Sequence, residues 1–191
     1  MQKHFYPLTP DLWPAFEDLF GKQGACYGCW CTYFRQPPAV RRGSTGRRNK
    51  DVIKTRIDVG PPPGLLAFRG DEAVGWMQIG PRADVPEWNS VRRSSAPLDT
   101  ADAGDPAMWA ISCFFVRKSA RGQGITHGLV NAGISFAREN GARVVEACPM
   151  DQSNDTSGMA LFVGSTRVFE RAGFKEVALR RKGRPLMRLE L

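Results

Sequence analysis

The stretch that most constrains how this chain can fold runs over residues 108–140, MWAISCFFVRKSARGQGITHGLVNAGISFAREN. Residues 109–116 are an apolar run rich in aromatic and β-branched side chains, bounded by charge and too short for an ordinary helix, which predicts a buried strand. From Ile125 onward the apolar residues Ile125, Leu129, Ala132 and Phe136 recur at helical spacing, and Asn140-Gly141 supplies a helix end. Between strand and helix lies Arg121-Gly122-Gln123-Gly124-Ile125-Thr126. Glycines there let the backbone approach a ligand closely, and the first N–H groups of the helix point outward beside the positive end of its dipole. The stretch therefore reads as a strand, a turn suited to cradling a phosphate, and a helix.

Two common phosphate-binding patterns do not fit. A dinucleotide fingerprint G-x-G-x-x-G needs glycine where His127 stands, and a Walker loop needs a Gly-Lys-Ser/Thr that is missing. Taken alone, the turn is also compatible with a tight turn that holds no ligand. However, Val116-x-x-x-x-Arg121-x-x-Gly124-x-Thr126 resembles the R/Q-x-x-G-x-G/A signature of the GNAT superfamily of acyl-CoA-dependent N-acyltransferases. Thr126 departs from the pattern at its last position, so its N–H is available to a phosphate only if the side chain points away. Residues 167–174, RVFERAGF, look like the family's short helix ending in Gly-Phe, which packs beside the thioester end of the cofactor.

The resemblance covers most of the chain and implies one GNAT-like acyltransferase domain over residues 1–191. It implies an α/β (α+β) fold: a mixed, mostly antiparallel sheet of six to seven strands flanked by helices, with a central parallel strand pair that splays apart. The implied reaction is transfer of an acetyl group from acetyl-CoA, the acyl-donor substrate, to a primary amine, with no metal. Phe114, Phe115 and Val116 would follow the pantetheine arm, and Arg121, Gly122, Gln123, Gly124, Ile125 and Thr126 would hold the pyrophosphate, mainly through backbone N–H groups.

An amine that is cationic near neutrality must lose a proton before attacking. Glu146, a carboxylate in the apolar segment 143–147, is the candidate base, its other reading being a solvent-facing strand residue. Many relatives carry a tyrosine four residues before the glycine of the Gly-Phe pair, able to protonate the departing thiolate. Here that residue is Phe169, and a phenyl ring donates no proton. Ser165, on the preceding turn, is the candidate acid, with helix capping as its plain structural role; Tyr33 or a water could serve instead, and positioning alone can suffice. The missing tyrosine hydroxyl raises a noncatalytic acyl-CoA-binding module as the alternative function. Cys113 and Cys148 sit in or beside apolar strands, where packing is the expected role.

Composition narrows the rest. A chain of 191 residues, 42% hydrophobic, suits one compact domain with a sizeable core. Twenty-seven Lys and Arg against 19 Asp and Glu give a net charge of +8, which favours anionic partners such as coenzyme A. Nucleic acid bound through Arg41, Arg42, Arg47, Arg48 and Lys50 is a lesser alternative, since no stacking motif accompanies that cluster. The N-terminal segment has no long apolar core, so no signal peptide is expected, and no stretch approaches the ~18 apolar residues of a membrane span. Five cysteines, an odd number in a chain large enough to fold without staples, predict reduced thiols and a cytoplasmic location. Two histidines and no G-x-S-x-G give a Ser-His-Asp hydrolase no support. Any homo-oligomer would most commonly be a dimer.

In chain order, residues 3–8 predict a strand, and residues 10–20 a helix with Thr9 as N-cap, Pro10 at its first position and Leu12, Phe16, Leu19 and Phe20 inward. Residues 24–35, GACYGCWCTYFR, hold a C-x-x-C pair and a third thiol, but no second pair to complete a zinc site. In GNAT folds this segment commonly lines the acceptor pocket, so Tyr27, Trp30, Tyr33 and Phe34 would form an aromatic wall suited to an apolar or cationic acceptor. Residues 37–50 read as a basic loop, either solvated or a guanidinium cluster for the CoA 3′-phosphate or an acidic part of the acceptor. A helix over 49–59, strands over 65–68 and 73–79, and a long connection over 80–107 follow. That connection is expected to hold a short helix near 87–93, with Trp88 and Val91 facing the sheet together. A strand over 143–147, a polar loop over 151–164, a helix over 165–172 and a terminal hairpin of 175–181 with 186–191 complete the pattern.

Overall fold

A computed structural model of the chain describes residues 2–43, 45–151 and 162–191. Seven strands form one sheet in the order β1 (Lys3–Pro7), β2 (Gly64–Arg69), β3 (Glu72–Pro81), β4 (Met108–Val116), β5 (Val144–Ala147), β7 (Leu186–Glu190) and β6 (Lys175–Ala178). Every neighbouring pair is antiparallel except β4 and β5, which are parallel. Most of the expected loop 151–164 lies outside the described residues.

The parallel pair governs what the fold can do. β4 and β5 pair only from Met108 opposite Val144 to Ile111 opposite Ala147. β4 then continues to Val116, still paired with β3 on its other edge. The register between β3 and β4 shifts at Gln78 and Ile79, leaving Ser112 as an extra residue on β4. A bulge of this kind bends the bulged strand. So β4 and β5 part company at Ile111, and beyond β5 the chain bridges at Met150 to Ser165 rather than to β4.

Helices cover both faces. On one, α4 (Ile125–Glu139) and α5 (Thr166–Arg171) lie over a core that includes Met77, Ile79, Ile111, Phe114, Leu129 and Phe169. A Cβ at Gly133 would fall 2.3 Å from the end of Met77, so the glycine there lets α4 rest on β3 without displacing the Met77 methyl. On the other face, α1 (Trp13–Phe20) and α3 (Gly46–Val59) bury Phe16, Phe20, Ile53 and Ile57 against Leu66 and Trp76. Each such side chain contributes about 1.5–3 kcal/mol of transfer free energy. No helix among the described residues is long and apolar enough to cross a membrane.

Three local expectations are corrected. Residues 37–50 are not a loop: α2 (Pro38–Arg42) has proline at its start, and Thr45 Oγ1 accepts from the Arg48 N–H at 3.3 Å, so α3 opens at Gly46. Cap chemistry set the start of α3, where no apolar periodicity marked it. Residues 10–20 divide into a 3-10 turn, Pro10–Leu12, and α1, with no cap bond from the Thr9 side chain. In the connection 80–107, the expected helix is one 3-10 turn, Pro86–Asn89; Trp88 is buried, but Val91 is 83% exposed because the backbone leaves the helical path at Ser90.

Candidate active site

The turn between β4 and α4 is fixed from behind and open in front. The Arg117 N–H bonds the Val74 carbonyl at 2.9 Å, and its guanidinium meets Asp18 and Glu72, which anchors the end of β4. Ala120 is fully buried, and Arg121 Nε closes the turn on the Val116 carbonyl at 3.2 Å. Gly122 and Gly124 have φ of 74° and 75°, in the left-handed region that favours glycine. The first bond within α4 runs from the Gly128 N–H to the Gly124 carbonyl, so the N–H groups of Ile125, Thr126 and His127 have no helical acceptor.

These groups form one wall of a cleft of about 820 Å³. Phe114, Phe115 and Val116 from the unpaired part of β4 form another, and Ser165, Val168 and Arg171 from α5 and its approach form the third. Eight of the nine residues expected to hold the cofactor line this cleft. Gln123 does not: its side chain donates to the Ser119 carbonyl at 2.9 Å and receives Arg69, and Lys3 Nζ binds its carbonyl, so it braces the turn. Sequence reasoning overlooked His127 and Arg171, which also line the cleft. His127 Nδ1 is buried without a hydrogen-bond partner, while Nε2 meets Asn131.

This donor set fits acetyl-CoA. Orphan helix N–H groups, left-handed glycines and an unpartnered imidazole nitrogen suit phosphate, and the free edge of β4 past Ile111 suits an amide-containing arm that bonds as a strand does. Among the described residues that line the cleft there is no carboxylate.

Glu146 stands apart from it. The side chain is fully buried, in contact with Arg82 Nη1 and 2.8 Å from Arg188 Nη2. It is neither solvent-facing nor open to a substrate amine. Ser165 lines the cleft and is 9% exposed, and although it precedes α5 its side chain makes no cap bond. Phe169 is fully buried, with ring centres 6.1 Å from Phe114 and 5.1 Å from Phe174.

The four aromatic residues of the cysteine-rich segment do not share a wall. Trp30 is core, stacked on Phe20 and Trp13; Phe34 is buried in a separate cluster with Val85, Trp88, Ala110, Cys148 and Leu186; Tyr27 is 90% exposed. Only Tyr33 reaches toward the cleft, 6.3 Å from the Phe162 ring that helps line it. The segment itself is a tight coil with left-handed backbone at Ala25, Tyr27, Trp30 and Cys31.

All five cysteines are free thiols. Burial pushes Cys29 up to about 12, with the neighbouring Cys31 adding to the shift, and burial also raises Cys31 and Cys148. Such thiols stay protonated near neutrality, which suits packing and makes them poor nucleophiles. Among the described residues no three His, Cys, Asp or Glu side chains converge as metal ligands. Cys26, exposed and on the cleft wall, is different. Iodoacetamide is expected to alkylate Cys26 of the native protein first, and saturating acetyl-CoA to slow that reaction several-fold, as peptide mapping would show. Unchanged labelling would place the ligand elsewhere.

No curated protein matches the sequence. Solved structures share the fold. The GNAT domain of S. lividans PAT aligns with 99% of this chain and 90% of its own, at 16% identity and a TM-score of 0.55. YncA, a putative acetyltransferase from Salmonella typhimurium determined with its cofactor acetyl-CoA, aligns over 99% and 94% at 16% identity and a TM-score of 0.57. Ribosomal-protein-alanine N-acetyltransferase from Brucella melitensis aligns over 98% and 99% at 17% identity and a TM-score of 0.56. The Acetyltransferase (GNAT) family matches residues 23–174, the span that contains the splayed strands, the glycine turn and the Gly-Phe helix. With that match joined to this geometry, the chain belongs to the GNAT family of acetyltransferases.

Proposed function

We propose that the protein transfers the acetyl group of acetyl-CoA to a primary amine, with all 191 residues acting as one catalytic unit. The observation that carries this reading is the gap between β4 and β5, where the cofactor cleft meets the opposite face of the sheet. A thioester at that gap is open to attack from the α1 and α3 side, while the backbone of residues 112–116 and the N–H groups at the start of α4 hold its carrier. Acetyl-CoA is present in the YncA structure, which has the same fold.

The amine gives up its proton to solvent on this reading, because the described residues of the cleft wall include no carboxylate and Glu146 is committed to two guanidiniums. Ser165 is the proton donor to the departing thiolate. Its hydroxyl is on the cleft wall and makes no cap bond, whereas Phe169 has no proton to give. Ser165→Ala is therefore expected to lower kcat about 10-fold or more while leaving Tm and acetyl-CoA affinity unchanged. A Tm that drops with kcat intact would return Ser165 to a purely structural role.

Release of free CoA thiol across a panel of amines tests the reaction. Release above the amine-free blank supports transfer. Acetyl-CoA binding with no release for any amine supports the noncatalytic acyl-CoA-binding module, which the buried Phe169 favours. No binding of acetyl-CoA overturns both.

A further inference from the structure

Resting on the transfer reading above, we propose that the acceptor is a small amine that also carries an anionic group, held by Arg41 and Arg93. Among those with described side chains, the buried and half-buried ones are paired with carboxylates: Arg35 and Arg56 with Asp84, Arg69 and Arg117 with Glu72, Arg82 and Arg188 with Glu146. Three half-buried arginines are not, and they are Arg41, Arg93 and Arg184.

Though far apart in sequence, Arg41 and Arg93 meet at one ring, while Arg184 borders the apolar cluster that holds Phe34. The Arg41 guanidinium lies 4.1 Å from the centre of the Tyr33 ring. Arg93 lies 5.4 Å from the same ring and 5.0 Å from Phe34. Arg184 donates to the carbonyls of Cys148 and Pro149, at 3.0 and 3.2 Å, and Cys148 packs in the same apolar cluster as Phe34. Tyr33 touches Phe162, and Phe162 lines the cofactor cleft. Arg41 and Arg93 therefore lie one aromatic ring away from a residue that lines the cofactor cleft.

These guanidiniums retain donors for a ligand. Among the described residues the Arg93 guanidinium makes no hydrogen bond, its position fixed by the two rings and by Arg180, which donates to the carbonyls of Ser94, Ala96 and Pro97 in the same segment. Arg41 uses one donor, on the Tyr33 carbonyl at 2.9 Å. Arg41 and Arg93 are like charges brought to one ring half out of water, neither paired with an acid among the described residues, and an entering carboxylate or phosphate relieves their repulsion while accepting charge-assisted bonds. The same arrangement reverses the expectation of a cationic acceptor. The aromatic faces that could have held a substrate cation are covered by the protein's own arginines.

The test is CoA release with matched amines: 4-aminobutyrate against 4-aminobutyramide and 1,4-diaminobutane, and O-phosphoethanolamine against ethanolamine. At least one anionic amine is expected to exceed its neutral counterpart in kcat/KM by about 10–100-fold, with the diamine poorest. The two pairs distinguish carboxylate from phosphate. Arg93→Gln and Arg41→Gln should each erase most of that preference through KM for the anionic amine, leaving the neutral-amine rate and KM for acetyl-CoA unchanged, and Arg93→Lys should restore part of it. Equal or better turnover of neutral or cationic amines overturns the anionic acceptor while the transfer reading stands. Bound acetyl-CoA with no release from any of the five overturns the transfer reading, and the acceptor assignment with it.

Discussion

Aspartate in place of Gly124 is expected to weaken acetyl-CoA binding by at least ~100-fold, roughly 3 kcal/mol, while the protein stays folded. Gly124 has φ of 75° and immediately precedes the first residue of α4, on the wall of the cleft. A new side chain there carries a negative charge to the place where the orphan N–H groups would receive the pyrophosphate, and like charges brought together at a binding surface cost several kcal/mol. The fold is affected far less. Aspartate is one of the few residues that visit the left-handed region at modest cost. Only Lys3 Nζ, 3.8 Å from the added Cβ, lies nearby, and it would attract the carboxylate. Gly124→Asn separates the contributions, because it adds nearly the same bulk without the charge. Calorimetric titration should give a small loss for Asn and a large one for Asp, with similar Tm values for both. Wild-type affinity in the Asp variant would mean that the glycine turn holds no pyrophosphate, and the cofactor cleft would have to be sought elsewhere.

That turn was legible in the sequence because three local signals coincide there: an apolar run of strand length, two glycines, and helical spacing from Ile125. The parting of β4 from β5 follows from a register shift on β3, and only the family resemblance pointed to it. Trp30 and Tyr33 look alike in sequence, three residues apart, yet the left-handed coil turns one into the core and leaves the other at the cleft's edge. A count of basic residues also treats residues 41–50 as one patch. The structure divides them: Arg41 goes to Tyr33, while Lys50 pairs with Glu17 beside Trp30. Partners distant in sequence decided each case. Local pattern therefore gave the scaffold and the glycine turn but not the surroundings of Tyr33, where Arg41 and Arg93 arrive from separate segments.

Glu146 shows the same limit with the largest expected cost. Its carboxylate is the hub of a buried network: Arg82 contacts one oxygen, and Arg188, opposite it on β7, reaches the other through Nε at 2.9 Å. Arg82 is itself fully buried, donating to Asn89 Oδ1 at 3.0 Å and the Ser95 carbonyl at 2.7 Å, with its guanidinium 4.6 Å from the centre of the Trp88 ring. The network thus ties β5 to the long connection 80–107. Glu146→Gln keeps the shape and removes the charge, leaving Arg82 buried and uncompensated, which costs about 3–5 kcal/mol. In a chain of this size that is a fall in Tm of about 10 °C or more. Arg82→Met should cost less, since Arg188 still pairs with Glu146, and the double variant Arg82→Met with Glu146→Leu should cost less than the sum of its parts, since it removes both buried charges together. The kinetic readout separates this role from general base catalysis. At a temperature where Glu146→Gln remains folded, kcat and its pH profile should stay within a few-fold of wild type, whereas loss of a working base would lower kcat by about 100-fold or more and remove a limb of the profile. A folded, inactive Glu146→Gln protein would make this carboxylate a reactant, and the Arg82 network its means of holding position.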